Sequence, residues 1–476
     1  MAGDRLSALD VAFLCLESRT SPMHMGAVVT FRATEPVRAD RIAALLAERA
    51  ARLPRLRRRV RQGWPLGGAS WVEDADVDPA EHVDTHRLTA RYDPDPLATH
   101  ASRWLARPLD LAKPLWRARV VTGLPDGSFA VLVKLHHALI DGAGAVETVL
   151  GLLDEVPAAR RAGAARGRPA PSRSPVDALR AEAAEAVSRI TESAGIAGSV
   201  LKATRPYPVS PIAATGSASR RLGFARVDLA DVRRIRGVRG GTTNDVVLAI
   251  LAGALREWLL NRGQRPDAGP LRVLVPVSLR GREADRAGGN VLSGYLCDLP
   301  VHLDDPVDRL DAVRAAMLRN KQAGPARGAG ALPVLANRVP PGVHRVATRL
   351  AGHAAPLLFD TVVTNVPVPS VPLALDGAVV RDVYPFVPLA PHHAVGIAVA
   401  CYRNIIHIGL QADGVAVADI GSLGDAVTKS TAALLRAVEY CPADPAGSPR
   451  PVVPGGKRSG GSATQRRPEK VTSLQR

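Results

Sequence analysis

The 476-residue chain is poor in cysteine, in lysine and in long apolar runs, and each shortage removes a class of protein. Its four cysteines, Cys15, Cys297, Cys401 and Cys441, are scattered, with no CxxC pair and no histidine at ligand spacing. That pattern excludes a disulfide framework and a structural zinc site. Apolar runs such as VVLAILAGAL at 246–255 are too short to span a bilayer. The N-terminus lacks a basic segment followed by an apolar core, so the chain reads as cytoplasmic, with any membrane or lipid-droplet contact peripheral. There is no Gly-x-Ser-x-Gly elbow, and no glycine cluster has the spacing of a phosphate-cradling loop. Neither an acyl-enzyme hydrolase nor a nucleotide-binding site is expected.

The scarcity of lysine leaves arginine to carry the net charge of +17, and its placement matters more than its size. Five arginines and no acid lie between Arg160 and Pro175, and the tail from Pro442 has seven Lys/Arg against two acidic residues. Outside these stretches the excess is modest. An anionic lipid surface or the phosphates of a cofactor-like substrate suit such islands better than nucleic acid, which is not expected as a partner.

What is present is organised around residues 131–151, VLVKLHHALIDGAGAVETVLG. An apolar strand stops on two histidines, turns through Asp141 and Gly142, and opens into a helix. At period two, Val131, Val133, Leu135 and His137 share one face, while Leu132, Lys134 and His136 share the other. One histidine can therefore serve a cavity while its neighbour is built into the wall. A neutral imidazole at a strand end is a good general base near neutral pH. Asp141 either orients that ring or does something else.

Around this centre, residues 6–33 read as a polar turn followed by the strand GAVVTF, with His24 either a loop residue or a cavity-lining one. A helix spans 39–53. The six arginines from Arg52 to Arg61 form a solvated basic edge or a contact for acidic headgroups. A helix around 94–106 and a strand at 117–122 follow. An Ala/Arg/Pro/Ser linker runs from about 156 to 176, a helix to about 202, and loose chain to 219. Asp231 caps a short helix, and Asn244-Asp245 either cap the helix VVLAILAGALREWLL or support catalysis. Strands are expected at 271–280, 357–366 and 395–412, and helices at about 305–323 and 420–439. A second pair, His392-His393, lies between prolines and a strand with no Asp-Gly after it, and reads as loop.

The string His136-His137-x-x-x-Asp141-Gly142 resembles the signature of the CoA- or carrier-dependent acyltransferase superfamily, which includes chloramphenicol acetyltransferase and the condensation domains of peptide synthetases. From Leu6 to about Glu439 the chain resembles the bacterial wax ester synthase/diacylglycerol acyltransferase family. The resemblance is carried by LSALDVAFLCLESRTSPMHMG, Pro114-Leu115-Trp116, Asn244-Asp245, VPVSLR, the Gly-Gly-Asn ending at Asn290, and TNVP, in the family's order.

The resemblance implies an α/β (α+β) fold of two chloramphenicol-acetyltransferase-like subdomains with a central tunnel at their interface. The expected division is an N-terminal subdomain at 1–156, a linker and crossover helix at 157–219, a C-terminal subdomain at 220–441 and a basic tail at 442–476. It also implies an O-acyltransferase that joins a fatty acyl-CoA to diacylglycerol or a long-chain alcohol, with His137 as base and no cofactor beyond the acyl-CoA substrate. Catalytic residues are then His137, His136, Asp141 and Gly142, the glycine permitting a tight turn. His24, Asn244, Ser278, Arg280 and Asn290 are supporting positions. Asn244 or Ser278 would bind the oxyanion, and Arg280 would pair with Asp141. Pro114, Leu115, Trp116 and Asp245 belong to structural motifs, the first three shaping the cavity wall. Two alternatives remain: the same chemistry on a polyketide or complex-lipid alcohol, or a catalytically silent lipid binder.

Overall fold

A computed structural model describes residues 4–62, 69–89, 93–154, 210–278, 292–323 and 358–440. The expectations for the linker, the 176–202 helix, Arg280, Asn290 and the basic tail lie outside the described residues, as does the side chain of Ser278.

The chain opens with β1 (Asp4–Arg5) and passes at once into α1 (Ala8–Leu16), where a polar turn was expected. Ser7 starts this helix. Its side chain accepts the Asp10 N–H while the Asp10 carboxylate accepts the Ser7 N–H, a reciprocal box that satisfies two helix-end donors. The sequence ALDVAFLCL has no polar stripe, so periodicity alone conceals it. Next come β2 (His24–Arg32), α2 (Ala39–Ala51), β3 (Arg58–Gln62) and β4 (Ala69–Glu73). β1, β4 and β3 form a small antiparallel sheet. The arginine-rich run supplies part of it, with Leu56 and Val60 turned inward and Arg57 and Arg59 facing Glu73 and Asp74. The first half is completed by β5 (Val83–Arg87), α3 (Pro96–Leu105), β6 (Trp116–Thr122), β7 (Phe129–His136) and α4 (Gly142–Leu152).

The second half contains β8 (Arg220–Asp228), α5 (Leu229–Arg239) and α6 (Thr243–Asn261). After these come β9 (Leu271–Ser278), β10 (Leu292–Leu299), α7 (Pro306–Ala323) and β11 (Thr361–Val366). It ends with β12 (Ala374–Leu375), β13 (Ala378–Phe386), β14 (Val395–Tyr402), β15 (Ile405–Asp413) and α8 (Ile420–Tyr440). Asp228, and not Asp231, caps α5. Thr242 caps α6, with Asp245 closing a reciprocal box three residues on, so Asn244 is not the cap. No helix among the described residues is long and apolar enough to cross a membrane.

Two six-stranded sheets carry the fold, in orders β12-β13-β2-β7-β6-β5 and β10-β9-β11-β14-β15-β8. β12 and β13 were missed in the sequence, where Arg381, Asp382 and Pro385 interrupt the apolar pattern. They leave the second half and join the first sheet, β13 lying antiparallel to β2 from Val379↔Arg32 to Phe386↔Gly26. The expected 220–441 subdomain is therefore not self-contained. Where β15 passes beneath β13, a Cβ on Gly409 would collide with the Pro385 carbonyl, so only glycine allows that approach.

Every residue of β7 is buried. Val131, Val133 and Leu135 pack beneath α2 and α4 with Ile42, Leu46 and Leu152, while Ala130 and Leu132 meet Leu97, Ala101 and Trp104 of α3. Each large side chain so buried contributes roughly 1.5–3 kcal/mol. The second sheet packs one face on α5, α6, α7 and α8 through a separate core that includes Val246, Leu251, Trp258, Ile397 and Leu434. Its other face, including Ala398, looks toward the first sheet.

Candidate active site

The end of β7 divides the two histidines as alternation requires. His136 is fully buried, and its Nδ1 accepts the Ala138 N–H at 3.0 Å. Its ring proton therefore sits on Nε2, which faces Glu17 Oε2 at 3.3 Å. The His136 N–H donates to the Leu115 carbonyl and the His137 N–H to the Met23 carbonyl, both at 2.9 Å, so the strand end is tied on each side.

The His137 ring turns the other way, lying on Phe13 with centroids 4.1 Å apart and planes at 19°. The residue is part of the lining of a cavity of about 290 Å³. β2, β7 and α4 form one wall, through residues such as Met25, Leu135 and Val149. The other wall brings in Pro276, Thr364, Asn365, Ala398 and Phe386 from the second half and from β13. Polar side chains on this lining are few: His137, Asp141, Thr364 and Asn365. Burial pushes the His137 pKa down from 6.5 to about 4, with His136 adding a little and Asp141 opposing. The ring is therefore neutral at neutral pH, able to accept a proton and quick to return it. Since the residue helps line the cavity, an apolar occupant there deepens this effect and water relieves it.

Asp141 borders the same cavity but uses its carboxylate to accept the Gly144 N–H at 2.8 Å, capping α4. This fixes the turn that follows the histidines. Gly142 departs from expectation. A Cβ there would meet nothing within 4 Å, so the glycine keeps space open in the cavity and does not permit the turn. Gly144 is the constrained position, where a Cβ would press on Ile140 at 2.5 Å.

Several other expected residues stand apart from the cavity. His24 is neither loop nor lining: it begins β2, pairs in register with His136, and has Nε2 2.7 Å from the Leu105 carbonyl. Burial and the nearby Lys134 lower its pKa well below the usual value. Lys134, on the same side of β7, donates to the Trp104 and Arg107 carbonyls at the end of α3, and burial brings its pKa to about 7. Pro114, Leu115 and Trp116 do not line the wall; Trp116 is core, its Nε1 donating to the Leu56 carbonyl at 2.8 Å. Asn244 and Asp245 lie in the first turn of α6, and neither is among the residues that line the cavity.

Phe13, Glu17 and Asn365 were not singled out in the sequence. For the first two a signal exists: Ser7-x-x-Asp10 before an apolar run marks a helix start, which places residues 13 and 17 one turn apart.

Comparison with known proteins gives the family. Residues 6–247 match the wax ester synthase/diacylglycerol acyltransferase catalytic domain, and residues 288–434 match the C-terminal domain of the same family. A Mycobacterium tuberculosis protein named probable diacylglycerol O-acyltransferase is 32% identical over 451 residues, covering 91% of this chain and 96% of its own. A second so named from that organism is 32% identical over 388 residues, covering 77% and 84%. The solved wax ester synthase/diacylglycerol acyltransferase from Marinobacter aquaeolei superposes with a TM-score of 0.67 at 25% identity, over 91% of this chain and 99% of that one. The first condensation domain of the calcium-dependent antibiotic synthetase shares the fold, with a TM-score of 0.57 at 19% identity over 93% and 97%. The mixed α/β fold is thus the two-part, chloramphenicol-acetyltransferase-like one. The chain belongs to the wax ester synthase/diacylglycerol acyltransferase family and is an acyltransferase.

Proposed function

We propose that the protein transfers a fatty acyl group from acyl-CoA to the hydroxyl of diacylglycerol or of a long-chain alcohol, with His137 as general base. The observation that carries this reading is a neutral imidazole at the edge of a cavity whose lining is otherwise almost entirely aliphatic. An alkyl chain is stabilised there, whereas a sugar or polyketide acceptor would leave hydroxyls buried without partners.

In this mechanism His137 takes the hydroxyl proton as the acceptor oxygen attacks the thioester carbonyl carbon. The tetrahedral intermediate then expels the CoA sulfur, and the imidazolium returns the proton to that thiolate. One ester bond forms, one thioester bond breaks, and no acyl-enzyme or cofactor is needed. Holding both substrates against the ring supplies most of the rate, and the base adds about 10²–10⁴-fold. His136 and Asp141 hold the turn. The reaction takes place at a cytoplasmic lipid surface, membrane or droplet, into which both long-chain substrates partition.

The test is CoA thiol release by purified protein from palmitoyl-CoA, with dioleoylglycerol, with hexadecanol and with neither. Acceptor-dependent release that disappears in His137→Ala is the expected result. Wild-type release by His137→Ala would refute the role of the base, and release with neither lipid alcohol would refute the acceptor class.

A further inference from the structure

One helix grips both members of the histidine pair. Phe13 and Glu17 lie one turn apart at the end of α1, where side chains four residues apart share a face. The Phe13 ring lies on His137 at 4.1 Å, and Glu17 Oε2 faces His136 Nε2 at 3.3 Å. The same Glu17 oxygen accepts the Met23 N–H at 2.5 Å, and the Met23 carbonyl in turn accepts the His137 N–H at 2.9 Å. One carboxylate therefore stands at the head of two short chains of hydrogen bonds, one reaching each histidine.

We propose that α1 is a positioning element for the transfer reaction: Glu17 fixes the His136 ring and the Met23 peptide, and Phe13 fixes the plane of the His137 ring and keeps water from one of its faces. The proposal rests on His137 being the base. It deepens that reading by assigning the parts that aim the ring.

Two features set these residues apart from ordinary packing. The Glu17 side chain is only 8% exposed, yet its Oε1 has no hydrogen-bond partner among the described residues. A buried, half-satisfied carboxylate is a poor stabiliser of a fold. What it gains is an acceptor at Oε2 that serves two donors at once and holds His136 in a single tautomer. Phe13 is only half-buried, and among the described residues the ring it stacks on is that of His137. An apolar ring against the imidazole is also the kind of desolvation that lowers its basicity in the resting enzyme.

The experiment uses the full chain, with palmitoyl-CoA and hexadecanol as probes, and compares Glu17→Ala, Glu17→Gln, Phe13→Ala, Phe13→Leu and His137→Ala with wild type. Readouts are kcat, KM, the pH dependence of kcat/KM and the thermal midpoint. Glu17→Ala is expected to lower kcat about 10–100-fold with little change in KM, since aim rather than binding is lost. Glu17→Gln restores most of it, because an amide oxygen can take the same two donors. Phe13→Ala lets water onto the ring and moves the acid limb of kcat/KM upward toward the ordinary histidine value, about 6.5; Phe13→Leu, which still covers the ring, moves it less. The proposal falls if Glu17→Ala keeps wild-type kcat, if its loss follows the thermal midpoint and Gln does not restore it, or if Phe13→Ala leaves the acid limb in place. Wild-type turnover in His137→Ala would instead overturn the base itself, so the two failures are separable.

Discussion

The chain contains the same dipeptide twice, and the two copies have become different things. His136-His137 ends a buried strand and is followed by a capped helix; His392-His393 lies in a turn after prolines, with His392 at φ 65°. His137 presents a ring to a cavity, whereas His393 is buried with Nδ1 2.9 Å from the Pro391 carbonyl and Nε2 2.9 Å from the Phe359 carbonyl. Its ring has no free edge to offer, since both nitrogens already face carbonyls. The imidazole is the same in both places, and what differs is whether the backbone sets the ring in the lining of the cavity or between two carbonyls. Chemistry here belongs to the strand end and the capped turn, and not to the dipeptide.

Exchanging each pair's key member for alanine tests the contrast most sharply. His137→Ala is expected to lose about 10²–10⁴-fold in kcat/KM while its thermal midpoint stays near wild type. His393→Ala is expected to keep turnover per folded molecule and to lose about 1–3 kcal/mol in denaturant unfolding, because a buried carbonyl loses its donor. A catalytic collapse in His393→Ala at full stability would erase the distinction.

A smaller effect tests the residues that follow the first pair. Asp141→Ala removes the α4 cap, worth about 0.5–2 kcal/mol, and Asp141→Asn retains it. Equal stability of the two variants by urea unfolding would show that the cap does not hold the turn.

A further effect is one the two pairs share. Burial lowers the pKa of both His137 and His393, so the folded protein binds fewer protons than the unfolded chain below about pH 6.5. Their contribution to stability is full above that value and disappears as pH falls toward the folded pKa, about 4 for His137. Thermal midpoints should fall on acidification across this window, and less steeply in His393→Asn. A midpoint that rises on acidification would contradict the sign.

The legible parts of the sequence were those whose signal is local. Alternation placed His136 and His137 on opposite faces, and the apolar runs marked β7, β14, β15 and the helices around them. α1 was missed because a helix apolar on all sides has no stripe, and β13 because Arg381, Asp382 and Pro385 break its alternation. Those exceptions have tertiary causes. Asp382 is buried against Thr30, His407 and Arg226 from three other strands, and these partners hold its pKa far below the usual carboxylate range. Phe13 and Glu17 meet the histidines across more than a hundred residues, a distance over which periodicity carries no information. The same holds for His24, whose sequence neighbours gave no hint of the Leu105 carbonyl.

The placement of β13 also constrains how the molecule is made. The first sheet takes its strand beside β2 from residues 378–386, so during synthesis that edge of β2 waits until most of the chain has left the ribosome. An N-terminal fragment ending before that strand would carry both histidines and still lack a cavity wall, with a long sheet edge exposed to aggregation. The nascent enzyme therefore needs its own late segment, or a chaperone in its place, to cover that edge in the meantime.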